Sequence, residues 1–203
     1  MTVWVYALDR VLCISLDEAT AMPWYSIPDG GKDRLDLKIK PEKLEIYLKT
    51  IKPLMEYEPI LKMDSYKQHG RTSCLRHSLA VSYYSFVVCT KLHIRFDTAA
   101  LIRGGMLHDF FLYDWHNHDQ AHRWHGFIHP KVALKNAQEH FDLSERERDI
   151  ISKHMWPLTP RFPCFRESLI VCLVDKVCSV AEMLEALPGY RFYTSLPALP
   201  SEG

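Results

Sequence analysis

The sequence predicts an all-α fold, namely a single-domain helical bundle with a short irregular N-terminal appendage. Apolar residues recur at helical spacing through the middle of the chain, helix-capping residues precede several of these segments, and strand-like alternation is nearly absent. Turn-forming residues cluster at 23–31, and prolines recur after position 187. We therefore expect an appendage at 1–39, a helical domain at 40–187 and an irregular tail at 188–203.

The helices follow one another with short connections. They are predicted at residues 40–57, 74–92, 98–113, 131–140, 145–156 and 167–187. Their starts are marked by Pro41 and Pro130 at first helical positions, by Ser73 and Asp97 as N-caps, and by a capping box that begins at Ser144. Such a succession is typical of a bundle whose neighbouring helices pack against each other.

The composition excludes several classes of function. Lys and Arg number 25, as do Asp and Glu, so no overall charge attracts nucleic acid or an acidic membrane surface. The six cysteines include no Cys-x-x-Cys pair, which favours reduced thiols over a zinc finger or a disulfide scaffold. The N-terminus lacks the features of a signal peptide, and no run approaches the roughly 20 apolar residues of a membrane span. The expected location is cytoplasmic.

Several ionisable residues stand inside apolar helical segments, where an unpaired polar group is costly. They are His77, His108, Asp109, His154 and Asp175, joined by His129 at a predicted helix start. Each alone is more often a satisfied core histidine or a structural ion pair. Together, however, they would overwhelm a folding stability of only about 5–15 kcal/mol. A metal centre satisfies all of them at once, because nitrogen and oxygen ligands are stabilised by coordination.

The dipeptide His-Asp occurs a second time, as His118-Asp119. Its neighbours are polar, so the pair is predicted to lie in a solvated loop with His116, His122 and His125. We expect this loop to rim an opening or to face solvent.

The order His77, His108-Asp109 and Asp175 resembles the HD-domain superfamily, whose metal-dependent phosphohydrolases carry H…HD…D on helices of an all-α bundle. The intervening His129 and His154 are similar to the additional ligands of the two-metal subset. The resemblance covers roughly residues 40 to 185. HD alone is a weak signal, whereas six residues in this order on predicted helices form a specific one.

The resemblance implies a role for each residue. Asp109 would bridge two metal ions and act as the catalytic residue that holds a metal-activated water. His77, His108 and Asp175 would hold the first ion, and His129 and His154 the second. One or two divalent ions are expected, with Fe, Mn, Zn, Mg and Ni all open, since imidazole and carboxylate ligands suit several metals.

Some family features are missing. The glycine and lysine that often follow HD are replaced by Phe110-Phe111-Leu112, and the paired histidine and GYP motif of cyclic-dinucleotide phosphodiesterases are absent. This argues against cyclic di-GMP as the substrate. Arg76, Lys153 and Lys176 lie close in sequence to the ligands and are candidate substrate-binding residues, although solvated charge is the commoner interpretation for each.

The leading hypothesis is a metal-dependent phosphohydrolase that acts on a small phosphorylated molecule such as a nucleotide. A di-iron oxygenase resembling myo-inositol oxygenase is the alternative, because that branch of the superfamily uses a very similar ligand set. A non-catalytic ligand-sensing bundle ranks third, because degenerate members are expected to lose ligands and all six positions are filled here.

Overall fold

The computed structural model describes residues 2–7, 10–15, 39–69, 72–113, 125–185 and 199–200, with side chains at 39–68, 72–113 and 126–184. The helices are α1 (Pro41–Met55), α2 (Glu58–Leu61), α3 (Cys74–Lys91), α4 (Thr98–Leu107), α5 (His125–His140), α6 (Glu145–Lys153) and α7 (Arg166–Glu185), and a 3-10 helix covers Lys62–Ser65. The predicted all-α class is confirmed. Within the described residues, no helix is long and apolar enough to cross a membrane.

The predicted caps define the starts of α3, α4 and α6. The side chains of Ser73 and Asp97 accept hydrogen bonds from the backbone N–H groups of the third residues of α3 and α4, Arg76 and Ala100. Ser144 and Glu147 form the complete capping box of α6. These side chains satisfy N–H groups that have no partner within the helix.

Two predicted helix bounds were wrong. Helix α4 ends at Leu107 rather than near Tyr113, because the backbone turns after His108 and Leu112 adopts a left-handed φ of 54°. Helix α5 begins at His125, so Pro130 lies inside it rather than at its first position. A proline there removes only one hydrogen bond, to a carbonyl group in the first turn, which the helix tolerates.

Helix α3 lies at the centre of the bundle, with most of its residues buried. It packs against α4 and α7, while α6 packs against α4, α5 and α7. The fully buried apolar residues between these helices include Phe86, Val87, Leu101, Ile102, Ile150, Ile151 and Val171. Burial of this surface is the main force that holds the helices together.

Short strands accompany the bundle. Strands β1 (Thr2–Ala7) and β2 (Arg10–Ser15) pair antiparallel, and β5 (Leu199–Pro200) pairs with the other edge of β1. Strands β3 (Lys67–His69) and β4 (Thr72–Ser73) form a separate small hairpin directly before α3. The expected irregular appendage and tail therefore contain strand pairing, while the proposed domain boundaries stay a prediction.

Candidate metal centre

The six predicted ligands meet in the interior of the bundle. His77 lies on α3, His129 on α5 and Asp175 on α7, while His108 and His154 are the C-cap residues of α4 and α6. Asp109 follows His108 in the turn after α4. None of the six is more than 6% exposed. Five separate elements thus each bring an imidazole or a carboxylate to one buried place.

One side of the cluster is the Asp175 half, formed by His77, His108, Asp175 and the Oδ2 atom of Asp109. His77 Nε2 lies 3.0 Å from Asp175 Oδ1 and 3.7 Å from Asp109 Oδ2. His108 Nε2 lies 3.3 Å from Asp109 Oδ2 and 3.7 Å from Asp175 Oδ1. Two imidazole nitrogens and two carboxylate oxygens therefore face one another.

The other side is the His129 half, formed by His129, His154 and the Oδ1 atom of Asp109. His129 Nε2 lies 3.2 Å from Asp109 Oδ1, and His154 Nε2 lies 3.4 Å from the same atom. The two Nε2 atoms are 2.7 Å apart. The two oxygens of Asp109 thus face different sets of histidines.

The Nδ1 atoms indicate which histidine nitrogen is available as a ligand. His77 Nδ1 lies 3.0 Å from both carboxylate oxygens of Glu182. His108 Nδ1 lies 2.7 Å from the carbonyl oxygen of Gly105, and His154 Nδ1 lies 2.9 Å from that of Ile151. An oxygen acceptor at Nδ1 places the proton there in the neutral ring, which leaves the Nε2 lone pair directed at the centre.

The histidines and carboxylates of the centre shift one another's pKa values. Burial alone would lower the pKa of His77 and of His108, but the carboxylates of Glu182, Asp109 and Asp175 outweigh it. They raise the pKa of His77 well above its usual value and that of His108 to about 9. Burial would raise the pKa values of Asp109 and Asp175, yet the neighbouring histidines hold both well below the ordinary value. Burial lowers the pKa of His154, which favours its neutral form.

The residues fit a divalent metal. His108 Nε2 and Asp109 Oδ1 are buried and make no hydrogen bond within the described part of the chain, although buried polar atoms normally have partners. Two groups of three residues each place one possible ligand atom per residue within 4.8 Å of the others. They are His77, His108 and Asp175, and His108, Asp109 and His154. The buried His and Asp clusters can hold a metal ion. The assignment of all six residues as ligands, and of two ions, stays a prediction.

Two neighbours of Asp109 were not predicted from the sequence. Gln68 on β3 is buried, and its Nε2 donates to Asp109 Oδ2 at 2.5 Å. The Cys74 thiol, at the start of α3, donates to the Asp109 carbonyl oxygen at 3.1 Å. These contacts hold the side chain and the backbone of the residue that faces both halves.

The predicted substrate-binding residues are placed differently. Lys176 Nζ donates to the carbonyl oxygen of His154 at 2.9 Å, next to the centre. Lys153 forms an ion pair with Asp149 and lies 2.8 Å from the Cys164 sulfur. Arg76 is partly buried on α3, one residue before His77. Their role in substrate binding stays a prediction.

The predicted polar loop around His118-Asp119 lies outside the described residues, as do His116 and His122. Of His125 only the backbone is described, as the first residue of α5.

A surface cleft of about 650 Å³ lies apart from this cluster. Its walls come from residues 95–97, Arg146 and residues 164–167. None of the six predicted ligands lines it, so burial and donor chemistry, rather than cavity size, identify the candidate site.

Comparison with family models, with curated proteins and with solved structures finds no match for this chain.

Proposed function

We propose that this protein is a metal-dependent phosphohydrolase of the HD type that acts on a small phosphorylated molecule. The observation that carries the proposal is the division of Asp109, whose two oxygens face the Asp175 half and the His129 half separately. A carboxylate in that position is suited to bridge two cations. The ligand order along the chain, which resembles the two-metal subset of the HD superfamily, supports the same function.

When bound, one or two divalent cations would activate water and stabilise the negative charge of a phosphoryl transition state. His77, His108 and Asp175 would hold the first ion, and His129 and His154 the second. Asp109 would orient both groups of ligands relative to each other. Gln68 would fix the rotamer of Asp109 through its hydrogen bond to Oδ2.

The proposed substrate is a phosphate ester or nucleotide-like small molecule, and a cytoplasmic location accords with it. The net charge of zero does not favour a long nucleic acid as the substrate. Arg76, Lys153 and Lys176 are the cationic side chains that we propose lie nearest to a bound phosphate, because each is adjacent in sequence to a proposed ligand.

The test is phosphate release by the manganese-loaded protein from a panel of nucleotides and sugar phosphates. We expect His108→Ala and Asp109→Ala to lose bound metal and at least about 100-fold in turnover, since metal catalysis contributes several kcal/mol. His140→Ala is the matched control, because His140 is an exposed histidine on α5 that contacts Tyr57 rather than the centre. Full turnover in either ligand variant would exclude the assignment.

Oxygen uptake provides the contrasting measurement. Iron-loaded protein that consumes oxygen with a polyol, together with manganese-loaded protein that releases no phosphate, would replace the hydrolase by the di-iron oxygenase. Protein that neither contains metal after purification nor binds it on titration would instead favour a ligand-sensing bundle.

A further inference from the structure

Glu182 is a buried carboxylate directly behind the Asp175 half. It lies on α7, seven residues after Asp175, so both side chains project from nearly the same face of the helix. Its two oxygens each lie 3.0 Å from His77 Nδ1. Glu182 and His77 are each at most 1% exposed. A buried carboxylate destabilises the fold unless it is paired, so the contact with His77 is what compensates for the burial of Glu182.

The histidines of the centre are oriented by acceptors of different charge. The ring of His77 faces the carboxyl group of Glu182, whereas His108 and His154 face the backbone carbonyl groups of Gly105 and Ile151. A carboxylate behind an imidazole increases the electron density on the opposite nitrogen and makes it a stronger metal ligand. His77 is therefore the better donor on electrostatic grounds.

The two halves also differ in the negative charge that they present to a cation. The Asp175 half contains the Asp175 carboxylate and Oδ2 of Asp109, with Glu182 immediately behind it. The His129 half contains two imidazoles and Oδ1 of Asp109. Opposite charges attract strongly at these separations in a buried site, so a cation would be held more tightly in the Asp175 half.

We propose that Glu182 is a positioning residue that orients His77 and makes the Asp175 half the tighter of two unequal metal sites, the His129 half binding its ion more weakly. The proposal rests on the proposed metal-dependent function. It assigns a resident ion to the Asp175 half and an exchangeable ion to the His129 half. Glu182 would act through His77, whose Nδ1 atom it contacts, rather than as a ligand of either ion.

The test is a titration of chelator-treated, full-length protein with Mn²⁺, with free Mn²⁺ measured by its electron paramagnetic resonance signal. We expect two classes of site in the wild type. His129→Ala should remove the weaker class, and His108→Ala should remove the tighter one. Glu182→Gln should weaken the tighter class by about 10- to 100-fold while the weaker class changes less.

Glu167→Gln is the matched control. Glu167 is also a buried carboxylate on α7, but it accepts hydrogen bonds from the Asp97 backbone N–H and from Arg146, away from the centre. Both substitutions replace a buried carboxyl group on the same helix by an amide, so a general loss of stability would affect them alike. Only Glu182→Gln should change Mn²⁺ affinity.

Equal affinities at the two sites, loss of the tighter class in His129→Ala, or an unchanged tighter class in Glu182→Gln would each overturn the proposal. If Glu182→Gln fails to fold, the histidine variants still decide the order of the sites, and ¹⁵N spectra of the wild type report whether His77 is protonated at Nδ1. A confirmed order of sites without phosphate release would reject only the proposed hydrolase activity. Unequal sites are not required for hydrolysis, so active enzyme with equal sites would reject only the present inference.

Discussion

Asp109 is the residue on which the two halves of the centre depend. Its Oδ2 atom contacts His108 and receives a hydrogen bond from Gln68, while its Oδ1 atom lies near His129 and His154. Because Gln68 fixes one oxygen, rotation of the carboxylate is restricted and the other oxygen keeps its direction. The side chain is thus oriented before any cation binds, which lowers the cost of binding.

Protonation of the histidines should compete with metal binding. In the metal-free protein, the carboxylates raise the pKa of His108 to about 9 and that of His77 well above its ordinary value. Both rings are therefore protonated on both nitrogens near pH 7. A metal ion that binds Nε2 must displace one proton from each ring. Each displaced proton weakens the apparent metal affinity by about tenfold for every pH unit below the pKa of that ring. We therefore expect Mn²⁺ affinity to rise from pH 6 to about pH 9, and to rise less steeply above the pKa of His108.

Calorimetric titration at pH 7 in two buffers of different ionisation enthalpy measures this effect. We expect release of about two protons per Mn²⁺ bound in the Asp175 half, one from His77 and one from His108. His129→Ala should keep this release, because it leaves His77 and His108 in place. Binding without proton release would show that neither ring is protonated in the metal-free protein.

At the level of single residues, the sequence predicted the members of the buried cluster better than the residues that support them. The positions of His77, His108 and Asp175 stand out because ionisable groups interrupt apolar helical segments. Glu182 left a weaker signal, a carboxylate seven residues after Asp175 near a helix end, where such groups are commonly solvated. Gln68 left none, because its place near Asp109 depends on the tertiary position of β3.

At the scale of helices, two of the proposed ligands share the same local arrangement. His108 and His154 are both C-cap residues, and each ring contacts the carbonyl oxygen three residues earlier, of Gly105 and Ile151 respectively. Carbonyl groups at a helix C-terminus lack partners within the helix and carry partial negative charge. One contact therefore satisfies a carbonyl group, fixes the histidine tautomer and places Nε2 at the centre.

Gly105 tests the coupling between helix packing and the centre. A Cβ atom at this position would lie 2.9 Å from the Ser82 Cα atom, so α4 could not keep its distance from α3. We expect Gly105→Ala to reduce the free energy of unfolding by about 1–3 kcal/mol. It should also weaken Mn²⁺ binding, because His108 and Asp109 directly follow this helix.

Denaturant unfolding and Mn²⁺ titration measure the two effects. Gly104→Ala is the comparison variant, since the atoms closest to a Cβ there all belong to the Ile150 side chain on α6, whereas those at Gly105 include the α3 backbone. A larger loss of affinity in Gly104→Ala than in Gly105→Ala would contradict this account of α4 placement.

The helix starts were predicted where local chemistry determines them. Ser73, Asp97 and Ser144 cap their helices as expected, because an N-cap depends on residues within one turn. The end of α4 and the start of α5 were wrong, because both depend on the turn that places Asp109 and on packing of α5 against α6. The β1–β2 pairing was not predicted, although Val, Trp, Tyr and Ile around Asp9 form a strand-like composition.

At the scale of the whole molecule, the centre connects elements that are distant in sequence. Its residues come from α3, the turn after α4, α5, the end of α6, and α7, and they include four buried histidines and two buried aspartates. In the absence of metal, proton sharing among these groups is what offsets their mutual repulsion and desolvation. A bound cation would replace that arrangement by bonds between helices.

Removal of metal should therefore lower the stability of the whole bundle. An ion present at about 100 times its dissociation constant contributes about 2.7 kcal/mol to the folded state. For a chain of this size that corresponds to a decrease in Tm of about 5–10 °C on treatment with a chelator. Calorimetry with and without chelator measures this decrease, and added Mn²⁺ should restore the original Tm. In His108→Ala, which lacks a ligand of the tighter site, the Tm should respond little to chelator. An equal response in that variant would mean that the stabilising ion binds elsewhere in the protein.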